Sequence, residues 1–266
     1  MFQSDTTKLK KHNSWHQGAG WGALHDEEYG AVFYKRAIGE LPEMESSKAI
    51  AKRLLPFLLE GISLLDVGCG VGHYLRSLKS LIPTSFRYFG VDITELYITL
   101  ANKAFSNEPN VKFQVADIFE LPFENKEFNG VMCNNVLLHL PRIVKPIQEL
   151  CRVAEKFILI RMLIGERSFL IREVRNEGVE FDTNGEPVAY NYYNIYSKRY
   201  IEHILNSIPR IKSFKIVVDK DFDPKKIDAS ISDQPKAKNV TRMCGDWQVN
   251  GYVMQPWCFI EIELYP

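Results

Sequence analysis

The sequence lacks the features by which several broad classes of protein are recognised. It has only five cysteines in 266 residues and no CxxC pair, so neither a disulfide framework nor a zinc site is expected. Its 33 Lys and Arg residues balance 33 Asp and Glu residues, whereas nucleic-acid-binding proteins usually carry a basic excess. No apolar run is long enough to cross a bilayer, and the N-terminus does not resemble a secretory leader. These absences predict a cytoplasmic protein without a nucleic-acid partner, a membrane partner or a bound metal.

Strand and helix patterns alternate regularly from residue 62 onward. Strands separated by helices at this interval are typical of βαβ units around a parallel sheet, so we expect an α/β fold with three layers. A helix at 197–208 and strands at 214–218 and 257–264 follow later in the chain. The alternating part consists of strands at 62–67, 86–91, 111–115, 128–133 and 157–163, with helices at 71–82, 94–105 and 143–153.

Two long stretches interrupt the alternation. Residues 164–196 and 219–256 show no clear period, and connections of such length are often functional. Residues 1–60 precede the first strand, contain a helix pattern at 46–59, and begin with a segment too rich in aromatic residues for a disordered tail. The sequence therefore predicts an N-terminal lid and helix over 1–60, packed on a domain over 61–266 that carries both insertions.

A glycine-rich turn follows the first predicted strand. The segment Asp66–Gly72 has the spacing GxGxG, and glycines there allow a tight turn and close approach of a ligand. It matches the dinucleotide fingerprint GxGxxG poorly, because His73 stands where the third glycine belongs. Asp92 and Asp117 end the next two predicted strands. Since open α/β sheets bind ligands at the carboxyl ends of their strands, all three sites are expected to share one ligand.

These motifs together resemble those of the class I, Rossmann-like S-adenosylmethionine (SAM)-dependent methyltransferases. The segment Phe128 to Leu140 resembles that family's fourth-strand motif, with Asn129 where relatives often have Asp. The resemblance covers roughly residues 60–163. It implies a seven-stranded sheet that is mostly parallel, with an antiparallel last strand, and SAM and its product S-adenosylhomocysteine (SAH) as cofactor.

The resemblance also implies which residues bind SAM. The methionine part is expected above the glycine turn, the ribose at the second strand and the adenine at the third. The residues are Asp66, Gly68, Cys69, Gly70 and Asn134 for the methionine part, Asp92 with its neighbour Ile93 for the ribose, and Asp117 and Ile118 for the adenine.

Methyl transfer needs a nucleophile held in line with the methyl group, and a base only when the nucleophile arrives protonated. His139 follows the fourth strand and is the candidate base. The alternative is a structural histidine that bonds to the loop. Cys69 and Cys133 lie in or beside the predicted site and are interpreted as small packing residues.

The methyl acceptor is expected to contact the segments that interrupt the alternation. Aromatic side chains wall pockets and stack on substrates, although some of them will instead pack the insertion onto the core. Arg161 ends the fifth strand, where it would hold an acidic substrate group or form a surface ion pair. The aromatic candidates are Tyr190, Tyr192, Tyr193 and Tyr196 in the first insertion and Tyr29 in the N-terminal segment. Trp15, His16, Trp21 and Tyr29 together are interpreted as part of a lid over SAM.

Three functions remain open at this point. The first is methylation of an O or N nucleophile on a small-molecule metabolite, and the second is methylation of a protein or RNA. The third is a non-catalytic SAM-binding partner subunit, which a degenerate glycine loop would favour, whereas this loop is intact. The sequence indicates neither the acceptor nor an oligomeric state.

Overall fold

The computed structural model describes residues 27–174, 181–187, 190–220, 242–244, 247–250 and 253–266. The α-helices in these ranges are α1 (Glu27–Ile38), α2 (Glu45–Leu54), α3 (His73–Leu81), α4 (Glu95–Ala104), α5 (Val144–Val153) and α6 (Lys198–Asn206). The strands are β1 (Ser63–Val67), β2 (Arg87–Asp92), β3 (Val111–Val115), β4 (Phe128–Asn134), β5 (Ala154–Gly165), β6 (Arg172–Val174), β7 (Tyr190–Tyr192), β8 (Tyr196–Ser197), β9 (Ile211–Val218), β10 (Arg242–Cys244), β11 (Trp247–Asn250) and β12 (Val253–Leu264).

Seven strands form the central sheet in the order β3-β2-β1-β4-β5-β12-β9. Strands β1 to β5 are parallel, and β12 runs antiparallel to both β5 and β9. The expected mostly parallel sheet with an antiparallel last strand is therefore confirmed. Strands β1 and β4 are neighbours although β2 and β3 separate them in the chain. Ligands of open α/β sheets bind at such a reversal of strand order, above the carboxyl ends.

Helices cover both faces of the sheet, which explains why all five residues of β1 are buried. Helices α2 and α3 pack on one face, against a cluster that includes Leu64, Tyr88 and Met132. Helices α5 and α6 pack on the other, against a cluster that includes Ile158 and Ile160. Helix α1 contacts α3 and α4, near the start of α3. We call the α2–α3 face the front face.

The two insertions contain more regular structure than their sequences suggested. In the first, β6 and β7 form an antiparallel pair and β8 adds to the end of β5. In the second, β10 pairs with β11, and β11 pairs with the first residues of β12, which begins at Val253 rather than at residue 257. These strands are short, β6 is exposed and β7 is half-buried, so they lack the alternating apolar pattern that marks longer strands.

Asn129 ties the amino ends of three strands together. Its side-chain oxygen accepts from the backbone N–H and the hydroxyl of Ser63 in β1, and its side-chain amide donates to Glu155 in β5. An aspartate could not donate to Glu155, so the departure from the family pattern has a structural reason here. Asn129 lies at the end of the sheet opposite the glycine turn.

Within the ranges given above, the search for a helix long and apolar enough to cross a membrane finds none.

Candidate functional site

The glycine turn folds back over the carboxyl end of β2. The backbone N–H groups of Gly68 and Cys69 both donate to the carbonyl of Val91, at 2.7 and 3.0 Å. Gly68 has φ +77°, and a Cβ atom there would lie 2.2 Å from Cγ2 of Val136. Only glycine satisfies both the conformation and the space at this position. The turn and the segment after β4 are thus in direct contact.

Asp92 holds the glycine turn in place. Its Oδ2 accepts from the backbone N–H of Gly70 and its Oδ1 from that of Thr94, each at 2.9 Å. Burial raises the pKa of Asp92, and these backbone donors act in the opposite direction. A carboxylate oxygen has lone pairs beyond the one used in each bond, so the predicted contacts with ribose hydroxyls remain compatible with this geometry.

Asp66 is buried at the end of β1, where its Oδ2 accepts from the hydroxyl of Tyr88 at 2.6 Å. Burial raises the pKa of Asp66 from 3.8 to about 7, the bond from Tyr88 lowers it, and the charge of Asp92 raises it further. A buried carboxyl group with a raised pKa binds a nearby cation readily, because the cation offsets the cost of ionising the carboxyl group. Tyr88 is a site residue that sequence analysis missed, since a tyrosine within a buried strand resembles any core residue.

Asp117 and Ile118 lie after β3, in a tight turn. Oδ1 of Asp117 accepts from the backbone N–H of Phe119 at 2.9 Å, and Ile118 is buried in the cluster beneath α5 and α6, which we call the rear cluster. Ile93, partly buried, lies between Asp92 and Thr94. The roles of these residues at the adenine and the ribose stay predictions.

Asn134 is a buried polar residue whose side chain could bind a ligand. Its side chain is 5% exposed, yet neither Oδ1 nor Nδ2 has a hydrogen-bond partner within the described part of the chain. Strand alternation puts Asn134 on the same face as Met132, which is the front face and also the face of Asp66, the register partner of Met132. A buried amide without partners costs roughly 1–3 kcal/mol for each unsatisfied group. A polar ligand above the β1–β4 reversal would satisfy it.

His73 is the first residue of α3 and lies beside the glycine turn. Its ring stacks on Phe33 of α1 with centroids 4.5 Å apart, and its Nδ1 has no bond to any described group. Burial, with a smaller effect from Arg36, lowers the pKa of His73 to about 3. The imidazole is therefore neutral at physiological pH, and α1 covers the turn through it.

His139 ends a short 3₁₀-helix, Leu137–His139, and joins the segment after β4 to the first insertion. Its Nδ1 lies 3.1 Å from the carbonyl oxygen of Tyr192. A carbonyl cannot donate, so Nδ1 carries the proton and the lone pair lies on Nε2. Burial lowers the pKa of His139 to about 4, while the bond to Tyr192 raises it. The bond from His139 to the loop is thus observed, and its role as the catalytic base stays a prediction.

The four tyrosines of the first insertion occupy different environments. Tyr193 lies edge-on to His139, with ring centroids 5.5 Å apart, and packs on the cluster of Leu138, Leu163 and Trp257. We call these four residues, Leu138, Leu163, Tyr193 and Trp257, the acceptor-side cluster. Tyr192 is half-buried next to it, and burial raises its pKa.

Tyr196 does not fit the expectation that it contacts a substrate. It is 2% exposed within the rear cluster, and its hydroxyl accepts from Asn194 at 3.2 Å, so it is a core residue. The hydroxyl of Tyr190 donates to the carbonyl of Pro187, and Arg172 lies over its ring at 5.0 Å. The prediction for Tyr196 is therefore wrong, and Tyr190 is held within the insertion itself.

Arg161 forms a buried ion pair, so the expectation of a surface ion pair is wrong. Its Nε donates to Oδ2 of Asp219 at 2.9 Å, its Cζ lies 4.2 Å from the ring centroid of Trp257, and it is 1% exposed. The partner acid lies 58 residues away, at the first residue of the second insertion, which is why no sequence signal indicated the pairing. Its charge is balanced inside the protein, which weakens the expectation that it holds an acidic substrate.

The lid prediction is described only in part. Tyr29 lies on α1 with its ring 6.2 Å from that of Phe33. Trp15, His16 and Trp21 lie outside the described residues, as do 175–180, 188–189, 221–241, 245–246 and 251–252 of the two insertions. The described ranges bring together no group of three His, Cys, Asp or Glu residues that could hold a metal ion. The thiols of Cys69 and Cys133 are buried, and burial raises the pKa of each well above its ordinary value.

Comparison with known proteins agrees with this geometry. Residues 58–183 match a family described as a methyltransferase domain. The demethylmenaquinone methyltransferase of Staphylococcus aureus strain MRSA252 is 26% identical over 118 residues, which are 44% of this chain and 49% of that protein. The chain therefore spans about half the length of this curated relative.

Solved structures share the fold at low sequence identity. A phosphoethanolamine N-methyltransferase 2 from Haemonchus contortus, in complex with SAM, superposes with a TM-score of 0.61 at 16% identity, over 97% of this chain and 61% of that one. The [4+2]-cyclase SpnF superposes with a TM-score of 0.53 at 15% identity, over 82% and 80% of the two chains. Residues 58–183 thus match a methyltransferase domain, and the strand order and the glycine turn are similar to those of the class I, Rossmann-like SAM-dependent methyltransferases.

Proposed function

We propose that this protein transfers the methyl group of SAM to an O or N nucleophile of a small-molecule metabolite. The observation that carries the proposal is the unsatisfied amide of Asn134, buried on the front face at the β1–β4 reversal. The glycine turn reaches the same edge from β1. A ligand with both donors and acceptors, such as the amino-acid part of SAM, matches the two unsatisfied atoms of this amide.

The residues at this edge suit SAM in charge as well as in hydrogen bonding. Asp66 and Asp92 supply carboxyl groups, while the lowered pKa values of His73 and His139 keep both imidazoles neutral at physiological pH. The site therefore favours a cation. When bound, SAM supplies a sulfonium-activated methyl group that a nucleophile can displace directly. Asp66 would hold the ammonium group, Asp92 the ribose hydroxyls, and Asn134 the methionine end.

The acceptor would lie between Asn134 and the acceptor-side cluster. Leu163 and Arg161 lie on the same side of β5, and Trp257 contacts Arg161, so the cluster belongs to the front face as Asn134 does. Its apolar walls exclude water from the reacting groups, and His139 at its edge carries a lone pair on Nε2. In this arrangement His139 would accept a proton from a hydroxyl or ammonium acceptor.

A small acceptor is favoured over a macromolecule. The chain carries no net positive charge, and the names of the similar proteins given above refer to demethylmenaquinone and to phosphoethanolamine, which are small molecules. Methylation of a protein or RNA and a non-catalytic partner role are the alternatives. SpnF is named a cyclase, which illustrates that this fold alone does not define the reaction. A cytoplasmic location stays a prediction.

Calorimetry followed by a turnover assay tests the proposal. SAM and SAH should bind and NAD should not. Release of SAH should then be measured with separate panels of phenols, amines, small carboxylic acids, a peptide mixture and total RNA. We expect release with one small-molecule class. Absence of SAM binding, or tight NAD binding, would refute the proposal, and release only with peptides or RNA would favour the second function. SAM binding without release from any panel would indicate the partner subunit.

A further inference from the structure

The residue after Asn134 has a backbone conformation that most residues avoid. Asn135 has φ +60°, and among the described non-glycine residues Lys126 alone shares a positive φ. The left-handed region is disfavoured for L residues, although asparagine tolerates it better than most. The turn that follows β4 is therefore shaped by its contacts and not only by its own preference.

Arg161 and Tyr74 supply those contacts. The backbone N–H of Asn135 donates to the carbonyl of Arg161 at 2.9 Å, and Nη1 of Arg161 donates to Oδ1 of Asn135 at 2.8 Å. The side-chain amide of Asn135 donates to the hydroxyl of Tyr74 at 3.0 Å, which in turn bonds to Ser46 of α2 at 3.1 Å. One asparagine thus joins β5, α3 and, through Tyr74, α2.

Arg161 is itself held rigidly. Asp219 binds its Nε, the ring of Trp257 lies under its guanidinium, and the side chains of Arg161 and Asp219 are 1% and 0% exposed. A planar guanidinium can serve an aspartate on one edge and an asparagine on another at the same time, whereas a lysine offers only a point charge. The position of Asn135 therefore depends on the geometry of Arg161 and not only on its charge.

The turn after β4 also contacts the glycine turn. Val136, the next residue, packs so closely on Gly68 that a Cβ there would be 2.2 Å away. Asn134, whose amide is unsatisfied, directly precedes Asn135. A shift of Asn135 would therefore move Asn134 and the contact with the glycine turn together.

We propose that Arg161 is a positioning residue that acts through Asn135 to aim the Asn134 amide at the methionine end of the methyl donor. The inference rests on the proposed function, because it assumes that SAM or SAH occupies this edge. It assigns the buried Arg161–Asp219 pair to cofactor geometry, in contrast to a role in binding an acidic substrate.

The test compares SAH binding by calorimetry in the wild type and in the variants Asn135→Gly, Arg161→Lys and their combination. Asn135→Gly retains a residue that adopts positive φ and the backbone bond to the Arg161 carbonyl, but it removes the side-chain bonds to Arg161 and Tyr74. We expect each single variant to bind SAH about tenfold more weakly, as the loss of one hydrogen bond to a charged group predicts. The double variant should bind within about threefold of the single ones, because both changes remove the same contact.

The matched control is Lys126→Gly, which changes the other positive-φ residue, an exposed lysine whose backbone N–H donates to Arg152 of α5, a helix on the face opposite the front face. It should bind SAH as the wild type does. A second readout is the side-chain amide signal of Asn134 in protein labelled with ¹⁵N-asparagine, assigned with Asn134→Asp. SAH should shift this signal in the wild type and the control, and should shift it less in Asn135→Gly and Arg161→Lys.

The outcomes separate the two proposals. If the wild type does not bind SAH, the proposed function fails and this inference fails with it. If the wild type binds and both folded single variants bind within twofold of it, with the Asn134 signal responding as before, Arg161 is not a positioning residue. Thermal melts report folding, and if Arg161→Lys does not fold, Asn135→Gly decides, because it leaves the buried ion pair intact.

Discussion

Replacing Asp66 with Asn should stabilise the protein at alkaline pH relative to the wild type and change its stability much less at acidic pH. The side chain is 1% exposed, and burial raises its pKa from 3.8 to about 7. At 1.36 kcal/mol for each pKa unit, the difference of about 3 corresponds to about 4 kcal/mol. Asn keeps an oxygen that accepts from Tyr88 and removes the charge.

The sign follows from proton linkage. The folded state holds the Asp66 proton up to about pH 7, whereas the unfolded state releases it near pH 4. The stability linked to this proton is therefore full below pH 4 and lost as the pH rises to about 7. The free energy of unfolding of Asp66→Asn minus that of the wild type should accordingly rise between these values, by up to about 4 kcal/mol, and then stay level.

Urea unfolding of both proteins at intervals from pH 5 to pH 8 measures this difference. His73 and His139 titrate equally in both proteins, so their contributions cancel. Asp182→Asn is the control, because backbone hydrogen bonds lower the pKa of this exposed carboxyl and its effect should not change above pH 5. A difference for Asp66→Asn that stays constant from pH 5 to pH 8 would refute the reasoning, since Asp66 would then ionise in the folded state at an ordinary pKa.

Three further predictions concern the site. Gly68→Ala should weaken SAH binding, measured by calorimetry, and should destabilise the fold by about 1–3 kcal/mol, measured by urea unfolding. Adding Val136→Ala to this variant should restore part of both, and no effect of the added change would contradict the close contact. Asp92→Ala should cost about 1.5–3 kcal/mol of SAM affinity for each charged hydrogen bond lost, and an unchanged calorimetric affinity would mean that the ribose lies elsewhere. His139→Gln and Tyr193→Phe should each lower turnover with the identified acceptor, while the free energy of SAH binding stays within about 1 kcal/mol of the wild type. A large loss of SAH affinity in both variants would show that this region supports the fold and does not contact the acceptor.

The local patterns of the chain were sufficient to predict the sheet and to place the candidate site at one of its edges. The run from Ser63 to Val67 is apolar enough to be a strand buried on both faces, and the glycines from 68 to 72 can follow it only in a tight turn. The strand pattern and the glycine spacing both depend only on residues that are close together in the sequence. Asp92 and Asp117 could be placed at the same edge because parallel strands end on one side of the sheet.

Contacts between distant residues were decided by the tertiary structure alone. The pairing of Arg161 with Asp219, the bond from Asn135 to Tyr74 and the burial of Tyr196 join positions that no local period relates. A tyrosine pattern in an insertion has the same composition whether its rings line a pocket or fill a core. Which of the two occurs depends on how the insertion packs on β5 and α6, and that is determined only when the whole chain has folded.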